Sequence, residues 1–294
     1  MLQLKAPAKL NLFLHVTGQR PDGYHLLQSL FVPINWCDTI QIRPTQNSSI
    51  QRLSSHPWPA ENDICIKAAQ RLRALGVSKG QMDSSQGCEI TIQKEIPHGA
   101  GLGGGSSDAA TCLKGLVQLW GLQLSNQELL ELGLGLGADV PFFIQPEPAL
   151  VTGIGETLRA FRPLARQFVV AVPNIEIPTA RIFQSEQLIR NSSALSEDAI
   201  QKAVQASVWT AGRNDLLNVA LNLYPLLSED LNLLVDAAQA QGLPAQAVRM
   251  SGSGSALFCS CQSAAQARQL ADWLTSQPVS STRFRGIRAV ETYL

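Results

Sequence analysis

Residues 96–111 read IPHGAGLGGGSSDAAT, and five glycines (Gly99, Gly101, Gly103, Gly104 and Gly105) fall within seven positions. A run without side chains cannot add to a core. It offers bare N–H groups that approach a ligand closely, and glycine alone takes the positive φ values of a tightly wrapped loop. Before it, 88–96 (CEITIQKEI) alternates apolar and polar residues like a strand. After it, Ala109, Leu113, Leu116, Val117 and Trp120 recur at three- and four-residue steps, which predicts a helix starting near Ser106 or Ser107 with a serine as N-cap. A strand, a glycine loop and a helix N-terminus together favour an anion, because unpaired N–H groups and the positive end of the helix dipole face the loop. Phosphate fits that description.

Two familiar phosphate motifs do not apply. A P-loop needs Lys and then Ser or Thr after its last glycine, whereas Gly105 is followed by Ser106 and Ser107. Gly99, Gly101 and Gly104 match GxGxxG formally. That fingerprint also wants an acid roughly 20 residues on, and LWGLQLSNQ at 119–127 has none. The loop is of a third kind.

With 294 residues, 45% hydrophobic and 16% charged, the chain has the length of two globular domains. A composition shift at 160–167 sets the expected boundary between 162 and 163. Lys+Arg and Asp+Glu are equal at 23 each, so no basic excess calls for nucleic acid or an anionic membrane. The six cysteines form no CxxC pair and read as reduced, buried thiols. MLQLKAPAK has no signal-peptide core, and no apolar run is long enough for a membrane span. A cytoplasmic protein is expected.

Along the chain, 2–17 reads as a strand with Lys9 and Asn11 on one face; a lone strand lysine is ordinarily a solvated edge charge. RPDG at 20–23 is a turn that delivers Tyr24 and His25 to further strands at 26–34 and 38–44. A polar loop at 45–60 precedes a helix from Asn62 or Asp63. Ser125 and Glu128 form a capping box. Asp139 sits between glycine and proline beside apolar residues, as a turn acid or as a base near the phosphate loop. The second half reads strand, helices, strand, strand, helix, strand, a split βαβ sheet covered on one face, with 191–194 as a flexible tip and SGSGS at 251–255 between two strands.

The segments PAKLNLFLHVTGQRPDGYH (7–25), PHGAGLGGGSSDAA (97–110), LGADVPFF (136–143), IPTARIF (177–183) and MSGSGSALF (250–258) resemble the GHMP kinase superfamily, in the family's order and along the whole chain. The glycine motif marks the superfamily. PAKLNLFL with DGYH and GADVP narrows the likeness to the branch whose acceptor is a cytidine diphosphate-linked methylerythritol, in the non-mevalonate isoprenoid pathway. The resemblance implies an α+β fold of two domains: an N-terminal ATP-binding α/β sandwich with the glycine-rich loop (1–162) and a C-terminal ferredoxin-like split βαβ domain (163–294). It implies that Pro97, His98, Gly99, Ala100, Gly101, Leu102, Gly103, Gly104, Gly105, Ser106 and Ser107 wrap the ATP phosphates. It gives Asp139 the role of catalytic acid that takes the hydroxyl proton, with Lys9 beside it. Asn11, Tyr24, His25, Thr179 and Phe183 match substrate-holding positions, Tyr24 and Phe183 sandwiching the cytosine and His25 bonding its edge. Mg2+ is expected with ATP, and the sequence identifies no metal ligand beyond Ser106 or Ser107. The partners are small molecules, not nucleic acid or membrane, and the protein is expected as a monomer or homodimer. The alternative within the same fold is an alcohol of the homoserine or mevalonate type; in another class, the loop would bind nucleotide without catalysis.

Overall fold

The computed structural model describes residues 1–161 and 166–293. The expected domain boundary at 162/163 lies outside the described residues. Strands are β1 (Leu2–Gln19), β2 (His25–Thr45), β3 (Ile50–Arg52), β4 (Gly87–Gln93), β5 (Ala149–Gly153), β6 (Thr157–Ala160), β7 (Gln167–Pro173), β8 (Val248–Met250), β9 (Leu257–Cys261) and β10 (Phe284–Glu291). Helices are α1 (Ile64–Ser78), α2 (Gly104–Trp120), α3 (Asn126–Leu134), α4 (Val140–Ile144), α5 (Thr179–Phe183), α6 (Glu197–Gln205), α7 (Leu217–Leu223), α8 (Pro225–Ala240), α9 (Ala264–Ser276) and α10 (Ser280–Arg283). None of the described helices is long and apolar enough to cross a membrane.

Two compact units share this chain. The first comprises Met1–Ala8, Trp36–Ile96 and Gly103–Pro146; the second comprises Lys9–Asn35, Pro97–Leu102 and Glu147–Leu294. Both β1 and β2 therefore begin in one unit and finish in the other. The two strands expected at 26–34 and 38–44 are a single strand, in which Asn35 is an isolated exposed residue within a largely buried run.

In the first unit the far half of β2 pairs antiparallel with β4 from Thr39↔Gln93 to Thr45↔Gly87, and β4 pairs parallel with β3. That short third strand lies within the stretch expected to be loop. Apolar Ile40, Ile42, Ile90 and Ile92 are buried against the helices. Gly115 of α2 allows close approach: a Cβ there would come within 2.7 Å of Ile42 Cδ1. α1 is N-capped by Asp63, which accepts from the Cys65 amide, and α3 carries the expected Ser125–Glu128 capping box.

In the second unit the first half of β2 pairs with β5, which continues to β6. The β5–β6 hairpin was not read from sequence; Gly153, at φ 72°, and Gly155, at φ 117°, turn it. The other sheet runs β10-β7-β9-β8, antiparallel throughout. Two parallel strands, β7 and β8, thus flank the antiparallel β9, the split βαβ arrangement expected. Leu227, Leu234 and Ala238 of α8 and Leu270 and Leu274 of α9 bury their stripes with Val169, Leu257 and Cys259 of the sheet. The architecture is α+β, as the order of elements implied.

The stretch 191–194, expected to be a flexible tip, is pinned. The Ser192 amide donates to the Val16 carbonyl at 2.9 Å and the Ser192 hydroxyl accepts from Arg213 at 2.8 Å. His15 Nδ1 lies 2.9 Å from the Ser193 carbonyl oxygen. Polar composition signalled a loop, but these long-range partners are invisible in local sequence. Arg249 of β8 organises the neighbouring 210–212 turn: its buried guanidinium donates to the carbonyls of Gly212 (2.7 Å), Thr210 (2.6 Å) and Gln246 (3.1 Å). Replacing it by methionine keeps the stem but removes every donor. Arg249→Met is expected to cost about 2 kcal/mol, seen as a lower urea midpoint; an unchanged midpoint would show that water replaces the guanidinium freely.

Candidate functional site

The glycine loop leaves β4 under tight control. Asp38, fully buried in β2, accepts from the amides of Glu95 (2.6 Å) and Ile96 (2.8 Å), and Trp36 Nε1 donates to the Glu95 carbonyl at 2.9 Å. The second carboxylate oxygen of Asp38 pairs with Lys94, which also reaches Asp108 on α2 at 2.7 Å. Burial pushes the Asp108 carboxyl up to about 8, against the opposing pull of Lys94. Lys94 is held above its ordinary value by the two carboxylates in spite of its own burial. Asp108 thus keeps its proton near neutrality.

Within the second unit, residues 98–102 are tied down through their carbonyls. The His98 carbonyl accepts from Arg285 (3.0 Å), that of Ala100 from the Ala256 amide (3.0 Å), that of Gly101 from the Ser251 hydroxyl (3.0 Å) and that of Leu102 from the Lys9 amide (2.9 Å). In a planar trans peptide the C=O and the following N–H point in opposite directions. The amides of Gly99, Gly101, Leu102 and Gly103 are therefore turned away from the anchors, and among the described residues none of them donates a hydrogen bond to protein. Gly101 has φ 74°, and a Cβ there would sit 2.3 Å from the Ser251 carbonyl oxygen. Only glycine fits.

The chain then enters α2 through Gly103, the N-cap, at φ 71° with no side-chain cap. This corrects the expected serine cap: the left-handed backbone demands glycine at the cap, so the serines fall inside the first turn. Without a capping side chain, the first amides of α2 keep the anion preference of a helix N-terminus. Ser107 Oγ is buried with no hydrogen-bond partner among the described residues. In the same unit Asp139 occupies the N-cap position of α4, but its side chain makes no cap hydrogen bond. The turn before it lies near α2, since a Cβ at Gly137 would be 3.9 Å from Ser106 Oγ.

Lys9 and Asn11 are buried in β1, at 3% and 2% exposure, so Lys9 is not the solvated edge charge that a strand lysine usually is. Lys9 Nζ donates to Asn11 Oδ1 and stands 4.8 Å from the Phe31 ring centroid. Asn11 Nδ2 donates to Ser29 Oγ at 3.0 Å, and the Asn11 amide to Ser251 Oγ at 3.2 Å. Gly252 packs against this pair: its Cβ would lie 3.1 Å from Asn11 Oδ1. Asn214 Nδ2 holds the 251–255 loop through the carbonyls of Met250 (2.9 Å) and Gly252 (2.7 Å). Thr179 Oγ1 meets Ser253 Oγ at 2.7 Å.

The rings of His25 and Phe183 are 5.0 Å apart at 38°. Tyr24 stays 60% exposed, with the Arg20 guanidinium 6.0 Å from its ring centroid. Arg190 joins this group by donating to His25 Nε2 at 3.0 Å. It lies in the stretch 184–213, where no motif marked it; a single basic residue in an irregular segment carries no spacing signal. Ser29, Asn214 and Arg285 were missed because their partners, Asn11, the Met250 and Gly252 carbonyls, and the His98 carbonyl, lie far away in sequence. Lys9 and Asp139, the expected catalytic pair, fall in different units. Among the described residues, no three His, Cys, Asp or Glu side chains cluster as a metal set.

The GHMP kinases N terminal domain family matches residues 63–146, which include the loop, α2 and Asp139. A 4-diphosphocytidyl-2-C-methyl-D-erythritol kinase of Polynucleobacter necessarius is 42% identical over 278 residues, covering 94% of this chain and 89% of that protein. The chain belongs to the 4-diphosphocytidyl-2-C-methyl-D-erythritol kinase family. Another member, from Paracidovorax citrulli, is 45% identical over 260 residues, 87% of this chain and 85% of its own. A crystal structure of a 4-(cytidine 5'-diphospho)-2C-methyl-D-erythritol kinase superposes with a TM-score of 0.81 at 31% identity, covering 100% of both chains. A homoserine kinase from Cytophaga hutchinsonii, at TM-score 0.66 and 17% identity, covering 100% of this chain and 94% of its own, shares the fold.

Two measurements probe this geometry. Gly101→Ala adds a methyl group against a backbone carbonyl in a left-handed conformation. It is expected to cost roughly 2–4 kcal/mol and to weaken nucleotide binding, checked by thermal unfolding and by nucleotide titration. Asp108 has a native pKa raised above its unfolded value, so the folded chain holds a proton that the unfolded chain releases. Stability is therefore lost as pH rises from about 4 to about 8. Asp108→Asn mimics the protonated form, so its Tm should match the parent near pH 4 and gain on it steadily towards pH 8. Parallel Tm–pH curves would refute the assignment.

Proposed function

We propose that the chain transfers the terminal phosphoryl group of ATP to the 2-hydroxyl of 4-diphosphocytidyl-2-C-methyl-D-erythritol, giving the 2-phosphate and ADP, in the non-mevalonate route to isoprenoid precursors. As a member of its family it is a phosphotransferase using ATP. The observation that carries the reading is the peptide orientation of the glycine loop: inward-tied carbonyls and outward amides suit a triphosphate. Residues Pro97 to Ser107 wrap the phosphates, and the uncapped start of α2 adds the dipole's positive end.

Phosphoryl transfer to an alcohol passes through a loose transition state, so alignment and charge stabilisation dominate. The substrate's hydroxyl oxygen forms a bond to the γ-phosphorus as the bond from phosphorus to the ADP oxygen breaks. Asp139 orients the hydroxyl and takes its proton. Lys9, fixed by Asn11, meets the transferring phosphoryl group; its burial among Asn11, Phe31 and Gly252 restrains the ammonium, which favours such a role. Asn11 and Thr179 hold the acceptor, Tyr24 and Phe183 sandwich its cytosine, and His25 bonds the base edge.

Mg2+ bound to ATP would neutralise charge on the phosphates. The buried hydroxyl of Ser107, without a hydrogen-bond partner among the described residues, suits an oxygen ligand to the metal or a donor to a phosphate, with Ser106 beside it. In domain terms we assign ATP binding to 1–162 and the C-terminal GHMP kinase domain to 163–294, in a cytoplasmic monomer or homodimer.

A coupled ADP-release assay with and without the cytidine diphosphate-linked substrate tests the reading. ADP should form only with that substrate; release driven equally by homoserine or mevalonate, or no turnover at all, would sink it. Asp139→Asn is expected to lower kcat by roughly 10²- to 10⁴-fold while ATP still binds. Activity within a few-fold of the parent would remove Asp139 from the chemistry.

A further inference from the structure

Both ends of the Asn214 amide are engaged. Nδ2 donates to the carbonyls of Gly252 (2.7 Å) and Met250 (2.9 Å), and Oδ1 accepts from the Leu216 amide at 3.0 Å. The backbone around it is tied to β1: the Leu14 amide donates to the Arg213 carbonyl at 2.9 Å, and the Asp215 amide to the Leu14 carbonyl at 2.8 Å. Asp215 Oδ2 accepts from the Val16 amide at 2.8 Å. Residues 213–215 thus form a strut along the strand that carries Lys9 and Asn11, and Asn214 reaches from it to the turn after β8. Within the same unit that turn meets the loop and both strand residues. Ser251 Oγ donates to the Gly101 carbonyl at 3.0 Å and accepts from the Asn11 amide at 3.2 Å. A Cβ on Gly252 would lie 3.1 Å from Asn11 Oδ1 and 3.5 Å from Lys9 Nζ. The peptide joining Gly252 to Ser253 has its carbonyl on Asn214, so its N–H points the opposite way. Among the described residues neither the Gly252 nor the Ser253 amide donates to protein.

We propose that Asn214 is a positioning residue for the transfer step: it fixes the Gly252–Ser253 peptide so that the Ser253 N–H, close to Lys9, donates to the phosphoryl group in transit. Gly252, at φ 56°, has no side chain to resist a turn of that peptide, so its orientation depends on what holds the carbonyl. An N–H fixed in advance stabilises charge on a phosphate oxygen without rearrangement, whereas a carbonyl turned the same way would repel it. The inference rests on the reading of the chain as a kinase in which Lys9 meets the transferred group. An asparagine that only stabilised the turn would, when replaced, lower the melting temperature and leave kcat per active site alone.

The test uses the full chain, with active sites counted by nucleotide titration. Asn214→Ala is expected to lower kcat roughly 10²-fold, the loss typical of one preorganised donor, with KM for the cytidine substrate within a few-fold of the parent. A second variant guards against a poorly folded one: an ester in place of the Gly252–Ser253 amide removes the N–H and keeps the Ser253 side chain. Because that N–H has no protein partner among the described residues, the ester should melt close to the parent yet lose kcat by a similar factor. Asn214→Ala combined with the ester should lose little more than either alone. A readout without turnover is the gain in affinity when aluminium fluoride, a mimic of the phosphoryl group, joins ADP and Mg2+; the gain should shrink in both variants. An ester variant with kcat within a few-fold of the parent, losses that simply multiply in the combination, or an Asn214→Ala that changes only the melting temperature overturns the inference. A parent that shows the fluoride gain, lost in both variants, yet never phosphorylates the cytidine substrate overturns the proposed reaction and leaves the role of Asn214 standing.

Discussion

The rest of the structure depends on which way the peptides of one loop face. Four carbonyls between His98 and Leu102 are engaged from within the second unit by a guanidinium, two backbone amides and a serine hydroxyl. Each engagement is an ordinary hydrogen bond of modest net worth. Together they orient a row of N–H groups at no further cost when an anion arrives. Preorganised dipoles of this sort are effective in phosphoryl transfer because they need no rearrangement as charge moves. Just before the loop, in the stretch that follows β4, Asp38 performs a matching task by holding the amides of Glu95 and Ile96.

Much of this was legible in the sequence, for physical reasons that differ from element to element. The glycine run announced itself because nothing else allows Gly101 to approach the Ser251 carbonyl so closely. The order of strands and helices after residue 167 was readable because period-2 and period-3.6 patterns survive on elements with one buried face. Ser125 and Glu128 were readable because a capping box is local. The α2 cap was misread because the preference of serine for caps yields to a backbone that must be left-handed at Gly103. Lys9 was recognised by motif, while its burial was not, because both faces of β1 are covered and alternation no longer separates inside from outside.

What escaped entirely are side chains that act at long sequence separation. Arg190 meets His25 across 165 positions, and Asn214 reaches the Met250 and Gly252 carbonyls across 36 and 38. Neither residue has a neighbour pattern that betrays its partner. The pinned stretch at 191–194 is the same lesson in backbone form: a polar tetrapeptide is a mobile tip or a docked one according to whether something distant, here Val16 and Arg213, receives it.

The interleaving of the two units has a consequence for how this chain can be taken apart. Because Lys9–Asn35 and Pro97–Leu102 belong with the carboxy-terminal portion, a fragment starting at the composition break would keep its four-stranded sheet and Ser251, Ala256 and Arg285 but lack the glycine loop that these residues hold. The amino-terminal fragment would keep β1 to β6 and the loop, with the His98, Ala100 and Gly101 carbonyls parted from those three residues. Scissors placed there leave both sheets whole but part the loop from its anchors, so complementation by split halves would have to restore those hydrogen bonds and not merely bring two finished modules together.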